Sequence, residues 1–251
     1  MLLDSLSQPV LFAHRGASAY APENTLAAFE LALTQQADAI ELDVKLSADG
    51  QVVVVHDSTV DRTTNGHGKV ADLSLAELKA LNAGSTFSET YSGEKIPTLE
   101  EVFEAVGKRT VINIELTNYS TLRDSLVETV CMLVKKHKMQ ERVFFSSFHP
   151  SNLSKARGYL PEVPRGLLAQ ESMRGWWMRS FGFAFGDYQA LHPWGEDVSP
   201  QQVARVHRLK RRVHVYTINL AEEMRTLFRW GVDGIFTDDP QLAVRVRAES
   251  K

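Results

Sequence analysis

The chain has 251 residues, of which 43% are hydrophobic and 24% charged, and a formal net charge of −3. These are values of a globular chain long enough to bury a large core, and they exclude a disordered or fibrous class. The slight acidity lacks the basic excess of a general nucleic-acid binder, so no nucleic-acid partner is expected. The lone Cys131 excludes an intramolecular disulfide and a thiolate zinc cluster, and it reads as a small buried residue of a helix.

The first residues, Met1 to Val10, include Asp4 and carry neither a basic n-region nor an apolar h-region, so no signal peptide is expected. No apolar run reaches the ~18 residues of a spanning helix, and the cytoplasm is the expected compartment. Val10–Ala13 is the first short apolar run, closed by His14-Arg15-Gly16. Leu26, Phe29 and Leu33 then share a helical face, with Asn24 as the expected cap. Ala39–Val44 is the second strand, carrying Glu41 and Asp43.

About fifty residues follow before the helix that begins near Thr98, against about 2–6 for a usual connection of this kind. That stretch has its own signals: a strand at Gln51–His56, a turn at Asn65-Gly66, and a short helix through Leu75, Leu78 and Leu81. It is read as a small insertion, about residues 47–97, on the strand-C-terminal rim where barrel active sites sit.

Further strands are expected at Val111–Leu116, Val143–Phe148, Gly166–Ala169, Ala190–Leu191, Val213–Thr217 and Gly234–Thr237, with helices between them, one starting at Ser199-Pro200. The count of eight strands predicts an α/β fold, a TIM (β/α)8 barrel forming one domain over residues 1–251, with the insertion between strand 2 and helix 2. An open doubly wound sheet is the alternative.

Polar groups cluster where these strands end. Residues i and i+2 of a strand share a face, so Glu41 and Asp43 point one way, as do Asn113 and Glu115. If that way is the barrel mouth, three carboxylates converge, and they repel unless a cation neutralises them. An all-oxygen set favours Mg²⁺ or Ca²⁺, or Mn²⁺, over zinc; rim salt bridges are the plainer alternative. His14 and His56 each follow an apolar run. Beside a metal such a pair suits phosphodiester cleavage, one imidazole taking a proton from the nucleophile and the other protonating the leaving alkoxide. Arg15 is a candidate phosphate clamp, because a guanidinium fits phosphate oxygens bidentately, and Gly16 lets backbone approach a ligand.

In order along the chain come His14-Arg15-Gly16, Pro22-Glu23-Asn24-Thr25, Glu41-Leu42-Asp43-Val44, Asp49-Gly50, His56-Asp57 and Arg62-Thr63-Thr64-Asn65-Gly66. Ile96-Pro97-Thr98-Leu99, Asn113-Ile114-Glu115 and Thr237-Asp238-Asp239-Pro240 continue the series. This set resembles the signature of the glycerophosphodiester phosphodiesterase family over nearly the whole chain. The resemblance implies a TIM barrel that hydrolyses a small glycerophosphodiester to sn-glycerol 3-phosphate and an alcohol. It implies His14 and His56 as the acid/base pair, Glu41, Asp43 and Glu115 as ligands of Ca²⁺ or Mg²⁺, and Arg15 as a phosphate contact.

Two departures stand out. Many members of that family carry a phosphate-binding lysine two residues after the third carboxylate, where this chain has Thr117. A hydroxyl can donate a hydrogen bond but supplies no charge. Members often have tryptophan where this chain has Tyr216, within Val215-Tyr216-Thr217-Ile218-Asn219. Phe148 and Tyr216 are candidates for the alcohol side of the pocket, and His192 either meets the glycerol or satisfies a turn.

Trp176, Trp177, Met178, Phe181, Phe183 and Phe185, interleaved with Arg174 and Arg179, read either as a helix packed on the barrel or as an apolar apron for a lipid-bearing substrate or membrane surface. The apron motivates a second reading, a lysophospholipase D. The absent lysine motivates a third, a barrel that binds glycerophosphodiesters without turning them over. Retention of both histidines and all three carboxylates argues against the third. Nothing in the sequence indicates the oligomeric state.

Overall fold

The computed structural model describes residues 2–4, 6–119, 121, 123–171 and 173–249. Nine strands run β1 (Val10–Ala13), β2 (Ala39–Leu46), β3 (Val52–Val54), β4 (Val111–Leu116), β5 (Val143–Ser147), β6 (Arg165–Ala169), β7 (Ala190–Pro193), β8 (Arg212–Val215) and β9 (Gly234–Thr237) among these residues. All except β3 pair in parallel, and pairing of β1 with both β2 and β9 closes them into an eight-stranded TIM barrel. The eight apolar runs in the sequence are these eight strands. Their near-continuous burial is what a parallel sheet covered on both faces requires. The expected strand at Gln51–His56 is β3, which pairs antiparallel with the end of β2.

The helices are α1 (Leu26–Thr34), α2 (Leu75–Ala80), α3 (Leu99–Ala105), α4 (Leu126–Lys136), α5 (Pro150–Tyr159), α6 (Met173–Trp177), α7 (Phe183–Phe185), α8 (Pro200–Arg208), α9 (Ala221–Arg229) and α10 (Pro240–Glu249). Local sequence sets several of their starts. Thr98 and Ser74 form capping boxes with Glu101 and Glu77, and Ser199 caps α8 with Pro200 in its first turn. One cap differs from the sequence expectation. Thr25, not Asn24, caps α1 by accepting from Ala28 N. Asn24 is drawn away because its amide donates to the Asp43 carboxylate at 3.0 Å.

The large core lies between strands and helices, with Leu11, Phe29, Ile40, Ile112, Phe145 and Val213 among its buried members. Cys131 belongs to it from α4, and burial pushes its thiol up to about 12. The segment between β2 and α3 has a small core of its own, built on Val53, Val55, Val60, Val70, Leu78 and Ile96. That core lets the insertion stand on the rim as a folded unit and hold His56 in place.

Inside the barrel, aromatic rings fill the lower part. Phe12 stacks on Phe236 at 4.6 Å between centroids, and His192 lies 4.9 Å from Phe236 and 5.2 Å from Phe144. Burying rings of this size contributes about 1.5–3 kcal/mol each, so the layer is a firm floor for what lies above it.

Candidate active site

Above that floor is a cavity of about 200 Å³, lined by His14, Arg15, Glu41, His56, Asn113 and Glu115 together with Ser146, Phe148, Leu168, Tyr216, Thr217 and Phe236. Its walls are the C-terminal ends of the strands and the first residues beyond them. The alternation of inward and outward residues produces this. The β2–β4 register sets Glu41 beside Asn113 and Asp43 beside Glu115, all facing inward.

The expected convergence of acids is present. One oxygen each of Glu41, Asp43 and Glu115 lies within 4.8 Å of the others. Glu41 and Asp43 are buried, and Glu115 is half-buried. Glu41 Oε2 accepts from Arg15 N at 2.9 Å, Asp43 Oδ2 accepts from Asn24, and Glu115 Oε1 accepts from the Tyr119 hydroxyl at 2.5 Å. Glu41 Oε1 and Asn113 Oδ1 have no hydrogen-bond partner among the described residues. Burial first, then the charges of Asp43 and Glu115, push the Glu41 carboxyl well above its usual range. Burial and Asp43 push Glu115 up to about 8, against the hydrogen bond from Tyr119 and the charges of Arg15 and Lys45. Three carboxylates in this state, one of them with an orphaned oxygen, fit a hard divalent cation.

The turn after β1 is built for its role. Arg15 has φ of 57° and Gly16 of 85°. A Cβ on Gly16 would meet the Ala28 carbonyl carbon at 2.6 Å, so α1 can pack on this turn only if residue 16 is glycine. The tight turn places the Arg15 guanidinium against Glu23 at 2.9 Å and Asp43 at 3.3 Å while it lines the cavity. Burial lowers the Arg15 pKa, but Asp43, Glu23 and Glu41 outweigh it and raise it overall, so the cation is secure.

Each cavity histidine leans on a carboxylate. His14 Nδ1 is 2.7 Å from Asp238 Oδ1, and His56 Nδ1 is 2.7 Å from Asp57 Oδ1. A carboxylate only accepts, so Nδ1 carries the hydrogen and Nε2 is left for chemistry. Burial works against ionisation of Asp238, yet hydrogen bonds from His14, Asn219 and Ser18 hold it down at about 2. Asp57 is lowered chiefly by hydrogen bonds from Arg62, opposed by burial and helped by His56. Arg62 also donates to Glu23, which receives Arg15 in turn, so one chain of ion pairs ties the insertion to the β1 turn.

Other predicted residues divide. Phe148 and Tyr216 line the cavity edge to face, 5.9 Å between centroids. The Tyr216 hydroxyl donates to Ala169 O at 3.1 Å, so the cavity meets its ring. The Tyr216–Thr217 peptide is cis.

Thr117 is buried outside the cavity lining, and its hydroxyl donates to Val44 O at 2.8 Å. That bond occupies the hydrogen expected for phosphate. His192 is fully buried, 3.3 Å from His214 Nδ1 and packed over Gly166, so the structure does not bring it to the cavity.

Trp176, Trp177 and Phe185 are exposed, whereas Met178 and Phe183 are buried and Arg179 pairs with Asp197. The side chains of Arg174 and Phe181 lie outside the described residues. The sequence assigns no role to Asp238, Asp57, Tyr119 or Lys45, and to Asn24 only a helix cap. Asp238 directly follows the last strand as His14 follows the first, and Asp57 adjoins His56, so those two carried a usable signal.

A closed parallel barrel with acids, histidines and an arginine gathered at its strand C-terminal mouth is a TIM-barrel enzyme with a candidate divalent-metal site. The profile of the Glycerophosphoryl diester phosphodiesterase family matches residues 14–242, and the chain belongs to that family, a family of phosphodiester hydrolases.

A glycerophosphodiester phosphodiesterase of Caldanaerobacter subterraneus subsp. tengcongensis is 40% identical over 238 residues, covering 94% of this chain and 97% of that protein. The solved structure of an Oleispira antarctica phosphodiesterase, in complex with the product sn-glycerol-3-phosphate, superposes with a TM-score of 0.90 at 34% identity, covering 98% and 99% of the two chains. A glycerophosphodiester phosphodiesterase structure from Agrobacterium tumefaciens gives 0.80 at 30% identity, covering 94% and 99%. No helix of the described residues is long and apolar enough to cross a membrane.

Proposed function

We propose that this protein hydrolyses glycerophosphodiesters to sn-glycerol 3-phosphate and an alcohol, using Mg²⁺ or Ca²⁺ and an acid/base pair of histidines. The observation that carries this reading is the shared cavity: two carboxylate-backed imidazoles, Arg15, and an acid cluster with the orphaned Glu41 Oε1. The product complex of the similar Oleispira antarctica phosphodiesterase supports the choice of substrate class. The whole chain acts as one domain, the 47–97 insertion delivering His56 to the barrel's other groups.

Glu41, Asp43 and Glu115 would hold the ion, which when bound lends Lewis-acid charge to the phosphoryl group. Arg15 stabilises the charge that grows on the phosphoryl oxygens. One histidine takes a proton at Nε2 from the attacking oxygen, either water or the glycerol 2-hydroxyl; the hydroxyl route gives a cyclic phosphate that a water opens in a second round of the same exchange. The other donates its Nε2 proton to the leaving alcohol oxygen as the P–O bond breaks. Asp238 and Asp57 keep both rings turned and support the imidazolium form.

His14→Ala and His56→Ala are each expected to abolish release of sn-glycerol 3-phosphate from glycerophosphocholine while the circular dichroism spectrum is kept. Near wild-type turnover in either folded variant refutes the assignment.

A second reading, lysophospholipase D, is favoured by one observation. The exposed Trp176, Trp177 and Phe185 belong to the connection leaving the C-terminal end of β6, on the mouth side of the barrel. Relative rates on glycerophosphocholine and a lysophospholipid separate the two, and silence on both removes both.

A further inference from the structure

Lys45 stands two residues past Asp43 on β2, so it extends the inward row of Glu41 and Asp43 toward the mouth. Continued by one rung, the β2–β4 register sets Lys45 beside Thr117. The bonds agree: Lys45 Nζ donates to Thr117 O at 3.0 Å and to Thr117 Oγ1 at 2.8 Å. Both acceptors are neutral.

The other cations here are matched by acids, Arg15 by Glu23 and Asp43, and Arg62 by Glu23 and Asp57. Among the described residues Lys45 forms no ion pair. A half-buried ammonium gives up hydration; Asp43, Glu115 and Asp57 return part of that cost through space, but none of them pairs with it directly. Its charge is therefore open to an arriving anion. Strand geometry puts Lys45 one inward rung beyond Glu41 and Asp43 toward the mouth, its side chain lining a pocket with Ser58, Thr117 and Asn118.

We infer that Lys45 is the second phosphate-binding cation of the site, supplying from β2 the charge that Thr117 does not supply from β4. This rests on the proposed hydrolysis of glycerophosphodiesters. It also accounts for the threonine. Two lysines on adjacent inward rungs would repel, whereas Thr117 accepts two hydrogen bonds from Lys45 and holds the ammonium in the pocket they share, outside the main cavity's lining until an anion draws it over. The cation has changed strands rather than disappeared.

The test is a charge swap, with Lys45→Gln, Thr117→Lys and the double variant compared with wild type. Glutamine keeps a donor for Thr117 but removes the charge, so a structural tie alone would survive it. Three readouts apply: kcat and KM on glycerophosphocholine with saturating divalent ion, calorimetric affinity for sn-glycerol 3-phosphate, and affinity for the ion alone.

Lys45→Gln is expected to raise KM and weaken sn-glycerol 3-phosphate by about tenfold or more, without weakening the ion. Thr117→Lys in the double variant is expected to restore most of that loss. In wild type the same change is expected to impair the enzyme, by crowding two cations. Unchanged phosphate affinity in Lys45→Gln, or no restoration in a folded double variant, overturns the inference. If Lys45→Gln does not fold, Lys45→Met carries the same comparison. Wild type silent on glycerophosphodiesters would overturn the proposed function, whereas an active wild type matched by Lys45→Gln overturns this inference alone.

Discussion

Removing the divalent ion should cost the protein more stability in mild alkali than in mild acid. Without an ion, burial and the neighbouring Asp43 raise the Glu115 carboxyl from 4.5 to about 8. Between those values the folded, ion-free chain keeps a proton that the unfolded chain has released. The folded state binds more protons, so stability falls as pH rises through the window, by about 1.4 kcal/mol per pH unit for one such group. From about pH 6 to about pH 8 this amounts to at most about 3 kcal/mol.

For a domain of this size that is a drop of about 5–10 °C in melting temperature. An ion held by Glu41, Asp43 and Glu115 neutralises the cluster and removes the penalty. Thermal unfolding with excess Mg²⁺ or Ca²⁺, and with chelator, measures this at both pH values. The gap between the two curves should widen as pH rises. An equal or narrower gap at the higher pH, or no gap at either, refutes the electrostatic reasoning.

Asp238→Asn replaces the acceptor that orients His14 with an amide that can donate, and kcat should fall about 100-fold or more with KM and folding little changed; an unaltered kcat would show that Asp238 is not needed. Gly16→Ala places a Cβ at 2.6 Å from Ala28 at a φ of 85°, so denaturant unfolding should show a loss of about 2 kcal/mol or more, and a neutral result would contradict the packing described for α1. Burial pushes His214 from 6.5 down to about 4, so the unfolded chain binds more protons in that window and stability should fall as pH drops through it, by about 1.4 kcal/mol per unit. His214→Gln should reduce that slope in urea titrations, and an unchanged slope would exclude His214 as its source.

Much of the barrel could be read from the chain because parallel strands buried on both faces are short apolar blocks, and eight such blocks recur. The acid cluster was legible for a related reason. Spacing of two puts Glu41 with Asp43 on one face, and the register of two adjacent strands does the rest. What spacing does not give is depth along the barrel. His192 ends a strand as His14 does, yet it lies in the aromatic floor rather than at the mouth. The tilt and register of the closed sheet decide which rung a residue occupies, and no local pattern encodes them. Side-chain competition was hidden for the same reason. Asn24 has the chemistry of a cap, but a carboxylate remote in sequence, Asp43, claims its amide and leaves capping to Thr25. The lysine expected two residues after Glu115 is absent from the sequence, but the ammonium of Lys45 beside Thr117 becomes visible only once β2 and β4 are paired.

Metal-dependent hydrolysis at the site of Glu41, Asp43, Glu115, His14 and His56 is the central proposal. The most direct measurement is release of sn-glycerol 3-phosphate from glycerophosphocholine or glycerophosphoethanolamine by the purified protein, with Mg²⁺ or Ca²⁺ and after chelation. Product that accumulates with the ion, stops on chelation and resumes on adding the ion back is the predicted result. Undiminished release after chelation, or none with any divalent ion, would contradict it.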